Sequence, residues 1–298
     1  MSKINLYQDS MNNMLITDTQ KYNYKKQCEW AEFQLMNTGG AMLAIMSGSL
    51  SHGLIDDKSD TDMRIVSYAS MRTLLTQDRT MDKPIHDASI DATLISLNAF
   101  IDRLLKGGQV ALETIGVPSS CVLYADDNAM ELMRNQYRFI TQRTLFACTH
   151  TALSNIAHHA HQEAKDDSAG ERNHAIRKCG KAMAESLRLL YTAEHLHDNL
   201  NEHMSFQAFM SNDGMHDKLV SLRAGDGIRF DDNALTAYAD DSIISDLNNR
   251  IDYLTVNADK LGLPVKPSSE TYDYAMDFLY KANLSIIQAG ESNASNDK

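Results

Sequence analysis

The 298 residues carry 28 basic and 40 acidic side chains, a formal net charge of −12, with 43% hydrophobic and 23% charged residues. These are the values of a globular chain with a substantial core, long enough for two ordinary domains or one large one. They exclude a general nucleic-acid coat, which runs on clustered Lys and Arg. Charges are screened beyond about 8 Å at physiological salt, so a local basic cleft for a nucleotide or a structured RNA stays open. The imbalance is uneven: residues 1–125 hold 11 basic and 14 acidic side chains, and the rest hold 17 and 26. The first thirty residues lack a basic-then-apolar secretory pattern. The apolar run "AMLAIM" inside the uncharged stretch 33–55 is far too short for a membrane span. Cys28, Cys121, Cys148 and Cys179 are scattered with no C-x-x-C. That spacing predicts buried thiols in a reducing cytoplasm in place of a disulfide frame or a zinc site, and the short apolar run predicts no membrane association.

In chain order, "QCEWAEFQLMNTGG" (27–40) reads as a helix ending in glycine. "AMLAIMS" (41–47) is a short buried strand between glycines. "DMRIVSY" (62–68) and "DASIDATLI" (87–95) are two further strand candidates. Leu97, Phe100, Ile101, Leu104 and Leu105 then fall on one helix face, opened by Ser96 and stopped by Gly107-Gly108. Helix, three strands and helix make an α+β module over residues 1–124. From Tyr124 onward the periodicity is helical, over 130–165, 174–200, 204–211, 215–224 and 243–262, with "AKDDSAGERN" (164–173) as a solvated loop. The expected organisation is thus a mixed-sheet module, an all-helical domain over 125–289, and a disordered tail over 290–298.

The chemistry concentrates in "MSGSLSHGLIDDKSDTDMRIVSY" (46–68). In a strand, residues i and i+2 share a face, so Asp60 and Asp62 point the same way, with Arg64 following. Such a pair is costly unless met by positive charge, and Mg²⁺ takes one or two carboxylates together with phosphate oxygens. Gly48-Ser49, just after the first strand, permits close backbone approach and supplies a hydroxyl that can cradle phosphate. A two-metal displacement at phosphorus needs a third carboxylate, and Asp91 in the next strand candidate supplies it. A Gly-Ser pair or a D-x-D alone is more often a turn or a solvated cap. The order strand, Gly-Ser, polar loop, D-x-D, strand is far more specific than its parts.

This order resembles the nucleotidyltransferase motif of the DNA polymerase β superfamily, hG[GS] followed by Dh[DE]h. It is most similar to the phage and bacterial branch that includes RNA-repair-associated polymerase-β-like proteins, whose signature is G-S-x-A-Y-G-L-x-x-x-x-S-D-x-D-x-R. Gly48, Ser49, Gly53, Leu54, Ser59, Asp60, Asp62 and Arg64 stand in matching places, with His52 in place of tyrosine. "IDATLISLNAFIDRLLKGGQVALETIG" (90–116) resembles the strand bearing the third aspartate, its helix, and a K-G-N-P-x-x-x-E tail, with Gly108-Gln109 for Asn-Pro and Glu113 for the tail glutamate. "KAMAESLRLLY" and "LVSLRAGDG" resemble the H-x-x-R-L-L and L-x-x-[IL]-R-x-G elements, matching Arg188, Arg223 and Gly225, with Glu185 for the histidine.

The resemblance implies transfer of a nucleoside monophosphate from an NTP such as ATP, with two Mg²⁺ ions held by Asp60, Asp62 and Asp91 and release of pyrophosphate. Ser49 would grip the terminal phosphates. Arg188 would face the phosphates, its bland alternative being a surface salt bridge. Arg64 would neutralise the aspartate pair, or else contact the triphosphate. The family's context points to an RNA or tRNA acceptor in the cytoplasm, the host's for a phage-encoded chain. Nucleotidylation of a protein acceptor and non-catalytic nucleotide binding are the alternatives. His158 and His161 could share a helix face and bind metal, but an exposed polar face is the preferred reading of the cluster from His150 to His161.

Overall fold

The computed structural model describes residues 15–37, 40–68, 83–87, 90–196 and 214–296. Contacts divide the chain into two units, Met1–Phe139 with Pro267–Lys298, and Ile140–Lys266. The chain therefore enters its second unit at residue 140 and returns to the first at 267.

In the first unit, β1 (Ala41–Ser47), β2 (Asp62–Ser67), β3 (Lys83–Asp87), β4 (Ile90–Ser96) and β5 (Val122–Ala125) form one sheet in the order β3-β4-β2-β1-β5. The β2–β4 pair is parallel and the others are antiparallel. β1 is buried at all seven positions, which is why it reads as an unbroken apolar run without alternation. In β2, Met63 and Ile65 are buried while Asp62 and Arg64 are half-buried, so one face of the strand carries polar groups. β3 and β5 are the two edges, and neither is among the three expected strands. β3 contains Pro84, which an edge tolerates because the missing N–H has no ladder bond to lose.

Helix α1 (Asp18–Asn37) begins well before Gln27. A capping box starts it: Gln20 N donates to Thr17 Oγ1 (3.1 Å) and Gln20 Oε1 accepts from Thr17 N (3.0 Å). The single turn α2 (Gly48–Ser51) follows β1. α3 (Leu97–Leu105) buries the five apolar residues that the spacing predicts, with Ser96 Oγ accepting from Ala99 N. Full burial of each such side chain is worth about 1.5–3 kcal/mol. α4 (Gln109–Ile115) and α5 (Asp127–Arg134) complete this part.

The second unit holds α6 (Gln142–His159), α7 (Ala169–Glu194), α8 (Met215–Ala224) and α9 (Asp241–Asn257). It is mainly helical but not all-helical. β6 (His161–Glu163), β7 (Ile228–Asp231) and β8 (Thr236–Ala239) form an antiparallel sheet in the order β6-β8-β7. Strands of three or four residues leave too little alternation to read from sequence. The helix expected over 130–165 is broken into α5, a 3-10 turn at Gln136–Phe139, and α6, at whose start Thr141 N donates to Thr144 Oγ1 (3.3 Å). The helix expected from residue 174 starts at Ala169 because Ser168 caps it, its hydroxyl accepting from Glu171 N. The expected helix at 204–211 lies outside the described residues. A Cβ on Gly180 of α7 would overlap the carbonyl oxygen of Leu222 in α8, so these two backbones touch.

The last helix, α10 (Ser269–Asn296), belongs to the first unit. It buries Thr271, Ala275, Phe278 and Ala282 along one stripe, with Arg138 paired to Glu270 (3.4 Å) at its start. Its backbone stays helical to Asn296, through most of the segment expected to be disordered. Extending a packed helix adds one bond per residue fixed, and no proline interrupts it. Among the described residues no helix is long and apolar enough to cross a membrane.

Candidate active site

Asp62 opens β2, Asp91 lies second in β4, and the parallel register sets the two opposite each other. Neighbouring strands are about 4.8 Å apart, so these carboxylates project side by side from one face. Arg64 and Thr93 are the next partners on that face, and Ser47 and Ile45 of β1 flank Asp62 and Arg64. All four of Asp62, Arg64, Asp91 and Thr93 are half-buried.

β1 ends at Ser47 and the chain turns through Gly48 at φ +65°. A Cβ here would overlap the carboxylate of Asp62. Glycine is required twice over, for the left-handed backbone and for the close approach. Ser49 follows, half-buried, its carbonyl accepting from Leu54 N (2.8 Å), while Ser51 Oγ donates to Gly48 O (3.0 Å). The loop then closes on itself: Ser59 Oγ accepts from Asp56 N (3.0 Å) and donates to Asp56 Oδ1 (2.9 Å). Ser59, a residue of the D-x-D signature, is thereby a turn lock.

Asp60 lies two residues before Asp62, outside β2. β2 begins at Asp62, so residue 60 is in the preceding loop, with its side chain exposed. The i, i+2 argument for Asp60 and Asp62 assumes strand backbone at both residues, and the β2 ladder starts only at Asp62. Two glutamines of α1, neither visible as functional in the sequence, hold this loop: Gln20 Nε2 donates to Asp56 O (2.7 Å) and Ser59 O (2.9 Å), and Gln27 Nε2 donates to Thr61 O and Thr61 Oγ1 (3.2 Å). A T-x-x-Q capping box and two glutamines one heptad apart were the available signal.

Among the described residues, no three Asp, Glu, His or Cys side chains gather closely enough to enclose a metal ion. Asp62 and Asp91 nevertheless fit Mg²⁺, which takes one or two carboxylates and completes its shell with water and phosphate oxygens. Like charges in register repel, and a divalent cation between them would offset that repulsion.

A family model described as the RNA repair pathway DNA polymerase beta family, RlaP, matches residues 25–225, more than half of the chain. The chain belongs to the RlaP family. No curated protein matches it. The RlaP match spans β1, β2 and β4 with Gly48, Ser49, Asp60, Asp62 and Asp91, and reaches through α7 into α8.

Within that span the remaining RlaP-like positions fall in different surroundings. Arg188, expected to face phosphates, is only 1% exposed, and its guanidinium forks onto Glu185 through Nε (2.8 Å) and Nη2 (2.6 Å). Glu185, standing in for the family histidine, is thus an ion-pair partner one helical turn away in the same helix. Glu113 is buried in α4 and accepts from Gln109 Nε2 (3.1 Å), the residue that replaces the family proline. α6 ends at His159, and His161 lies in β6, stacked on Tyr238 at 6.4 Å. His158 and His161 therefore do not share a helix face.

Proposed function

We propose that this chain is a Mg²⁺-dependent nucleotidyltransferase that moves a nucleoside monophosphate from an NTP onto a hydroxyl of an RNA acceptor. The observation that carries this reading is the in-register Asp62–Asp91 pair with the Gly48 backbone folded against the Asp62 carboxylate. The RNA acceptor rests on the description of the family.

In the reaction, the acceptor oxygen loses its proton and bonds to the α-phosphorus, the bond to the β-phosphate oxygen breaks, and pyrophosphate leaves. Asp62 and Asp91 would hold Mg²⁺, with Asp60 as the third carboxylate. The ion, when bound, neutralises phosphate charge and lowers the pKa of the attacking hydroxyl. Gly48 lies against the Asp62 carboxylate, and Gly48 and Ser49 would meet the phosphates. Arg64, on the same face, tempers the repulsion of the two aspartates before nucleotide arrives, or contacts the triphosphate itself.

The test is incubation of the purified protein with each α-labelled NTP, Mg²⁺, and either cellular RNA or cellular protein. Label should enter RNA, and Asp62→Asn should abolish it. Label in protein alone would transfer the proposal to protein nucleotidylation. Tight NTP binding without any label would leave a non-catalytic nucleotide-binding protein.

A further inference from the structure

We propose that Gln20 and Gln27 are positioning residues that aim Asp60 at the metal site from helix α1. The inference rests on the nucleotidyltransferase reading of the site and deepens it.

Asp60 has no strand to orient it, since β2 starts two residues later. What holds the chain on either side are two carboxamides. The carbonyl of Ser59, in the peptide bond that leads into Asp60, accepts from Gln20 Nε2, and the carbonyl of Thr61, one residue past it, accepts from Gln27 Nε2. Both glutamines are buried, at 3% and 1% exposure, and they lie seven residues apart on one face of α1. Buried carbonyls outside a sheet need donors, and each donor here comes from a side chain that a leucine would otherwise fill. Gln20 is committed at both ends: its Oε1 accepts from Ile16 N and Thr17 N while its Nε2 spans Asp56 O and Ser59 O. The capping box that starts α1 and the loop that carries Asp60 therefore share one side chain.

The backbone bracketing Asp60 is fixed while its carboxylate stays exposed. That is the arrangement wanted for a ligand that must reach an incoming ion without being consumed by internal contacts. Rigid support of a ligand from behind sets its affinity as much as the ligand's own identity.

The experiment uses the full chain with Gln27→Met, which keeps the side-chain length and loses the donor. The second variant is Gln20→Glu, which keeps the capping oxygen and loses the donor. Two readouts are taken: hydrogen exchange of the 56–62 segment by mass spectrometry, and Mn²⁺ affinity in the presence of a non-hydrolysable ATP analogue. Losing these bonds should speed exchange in the segment and weaken Mn²⁺ binding, each by about tenfold. The Mg²⁺ concentration for half-maximal transfer should rise by a similar factor, with the rate at saturating Mg²⁺ largely retained. A purely structural role would lower activity equally at all Mg²⁺ concentrations.

Unchanged exchange at 56–62 in both variants overturns the proposal. So does faster exchange with unchanged Mn²⁺ affinity. If the parent protein binds no Mn²⁺ that Asp62→Asn weakens, the reading of the site itself has failed and the clamp falls with it. The Asp62→Asn control tells that outcome from the other two.

Discussion

Asp62 of β2 and Asp91 of β4 are register partners, the first pair of a parallel ladder that continues unbroken to Ser67 and Ser96. Residues 29 positions apart in sequence are thereby set one strand spacing apart, on the half-buried face that also carries Arg64 and Thr93. Six consecutive ladder pairs make the juxtaposition rigid, because slipping either strand by one residue would send its aspartate to the buried face.

Neutralising either carboxylate should therefore remove transfer while leaving the fold intact. Asp62→Asn and Asp91→Asn keep shape and lose charge, and each should lower the transfer rate by at least about 10²–10³-fold, the scale of losing one electrostatic group in a catalytic site. Melting temperatures should hold or rise, since removing one of two like charges relieves repulsion. Label transfer from an α-labelled NTP, beside a melting curve, reads both. A variant as active as the parent would put the site elsewhere.

Gly48→Ala tests the close approach next to that pair. The left-handed backbone costs a non-glycine residue about 1–2 kcal/mol. The added Cβ must also displace the Asp62 carboxylate. Activity should fall further than stability, because the group displaced is the proposed metal ligand. Transfer assays alongside urea unfolding would show it, and loss of stability with full activity would contradict it.

Arg188 and Glu185 should behave as a structural pair. Glu185→Gln weakens the compensation of a guanidinium that is 1% exposed. Breaking a fully buried pair costs about 3–5 kcal/mol, and the 38% exposure of the Glu185 side chain lowers the expectation to about 2 kcal/mol. Replacing both residues together by Met and Leu should recover part of that loss, since an apolar pair leaves no buried charge. Urea midpoints for the single and double variants settle the sign.

The sequence exposes some of this architecture and conceals the rest for identifiable reasons. β1 is legible as an unbroken apolar run, and α3 because its burial follows the helical period from end to end. α1 is half hidden, since the face it buries includes Gln20 and Gln27, which no hydrophobic pattern marks as interior. The strands β6, β7 and β8 are too short to show alternation. At the site, the strand signals hold Asp62 and Asp91, which the structure sets in register, while Asp60 falls before the ladder, because nothing in D-x-D says where pairing begins. Arg188 looks like a surface cation from its charge alone, and the fork onto Glu185 helps to compensate its burial.

The cysteines should be silent in the native protein. All four are buried, and burial pushes the Cys179 thiol up to about 11 and raises that of Cys121 as well. Alkylation proceeds through the thiolate, so at pH near 8 only about one Cys179 in 10³ is reactive even when reached. Iodoacetamide should label none of the four on the timescale that labels free cysteine, and all four in urea. Rapid native labelling of Cys179 would show that α7 opens locally.

A pH dependence should come from Asp126, at the other end of β2 from the proposed site. Its carboxylate caps α5, accepting from Ala129 N (2.8 Å), and accepts from the hydroxyl of Tyr68, which in turn accepts from Asn128 Nδ2 (2.7 Å). Burial raises the Asp126 pKa above its ordinary 3.8, and the hydrogen bonds from Tyr68 and Ala129 only partly oppose that rise. A raised carboxyl pKa means that the folded state binds the proton more tightly than the unfolded chain. The stability it contributes is full below 3.8 and is lost as pH climbs through the higher folded value. Asp126→Asn keeps an acceptor for the cap and for Tyr68 but carries no charge to desolvate. The stability of the variant relative to the parent should therefore improve as pH rises from about 4 to neutrality, the window that a raised carboxyl pKa opens. Urea unfolding of both proteins across that range measures the difference. A difference that stays flat, or grows in favour of aspartate toward neutral pH, would mean that the Tyr68 and backbone bonds outweigh burial at this cap.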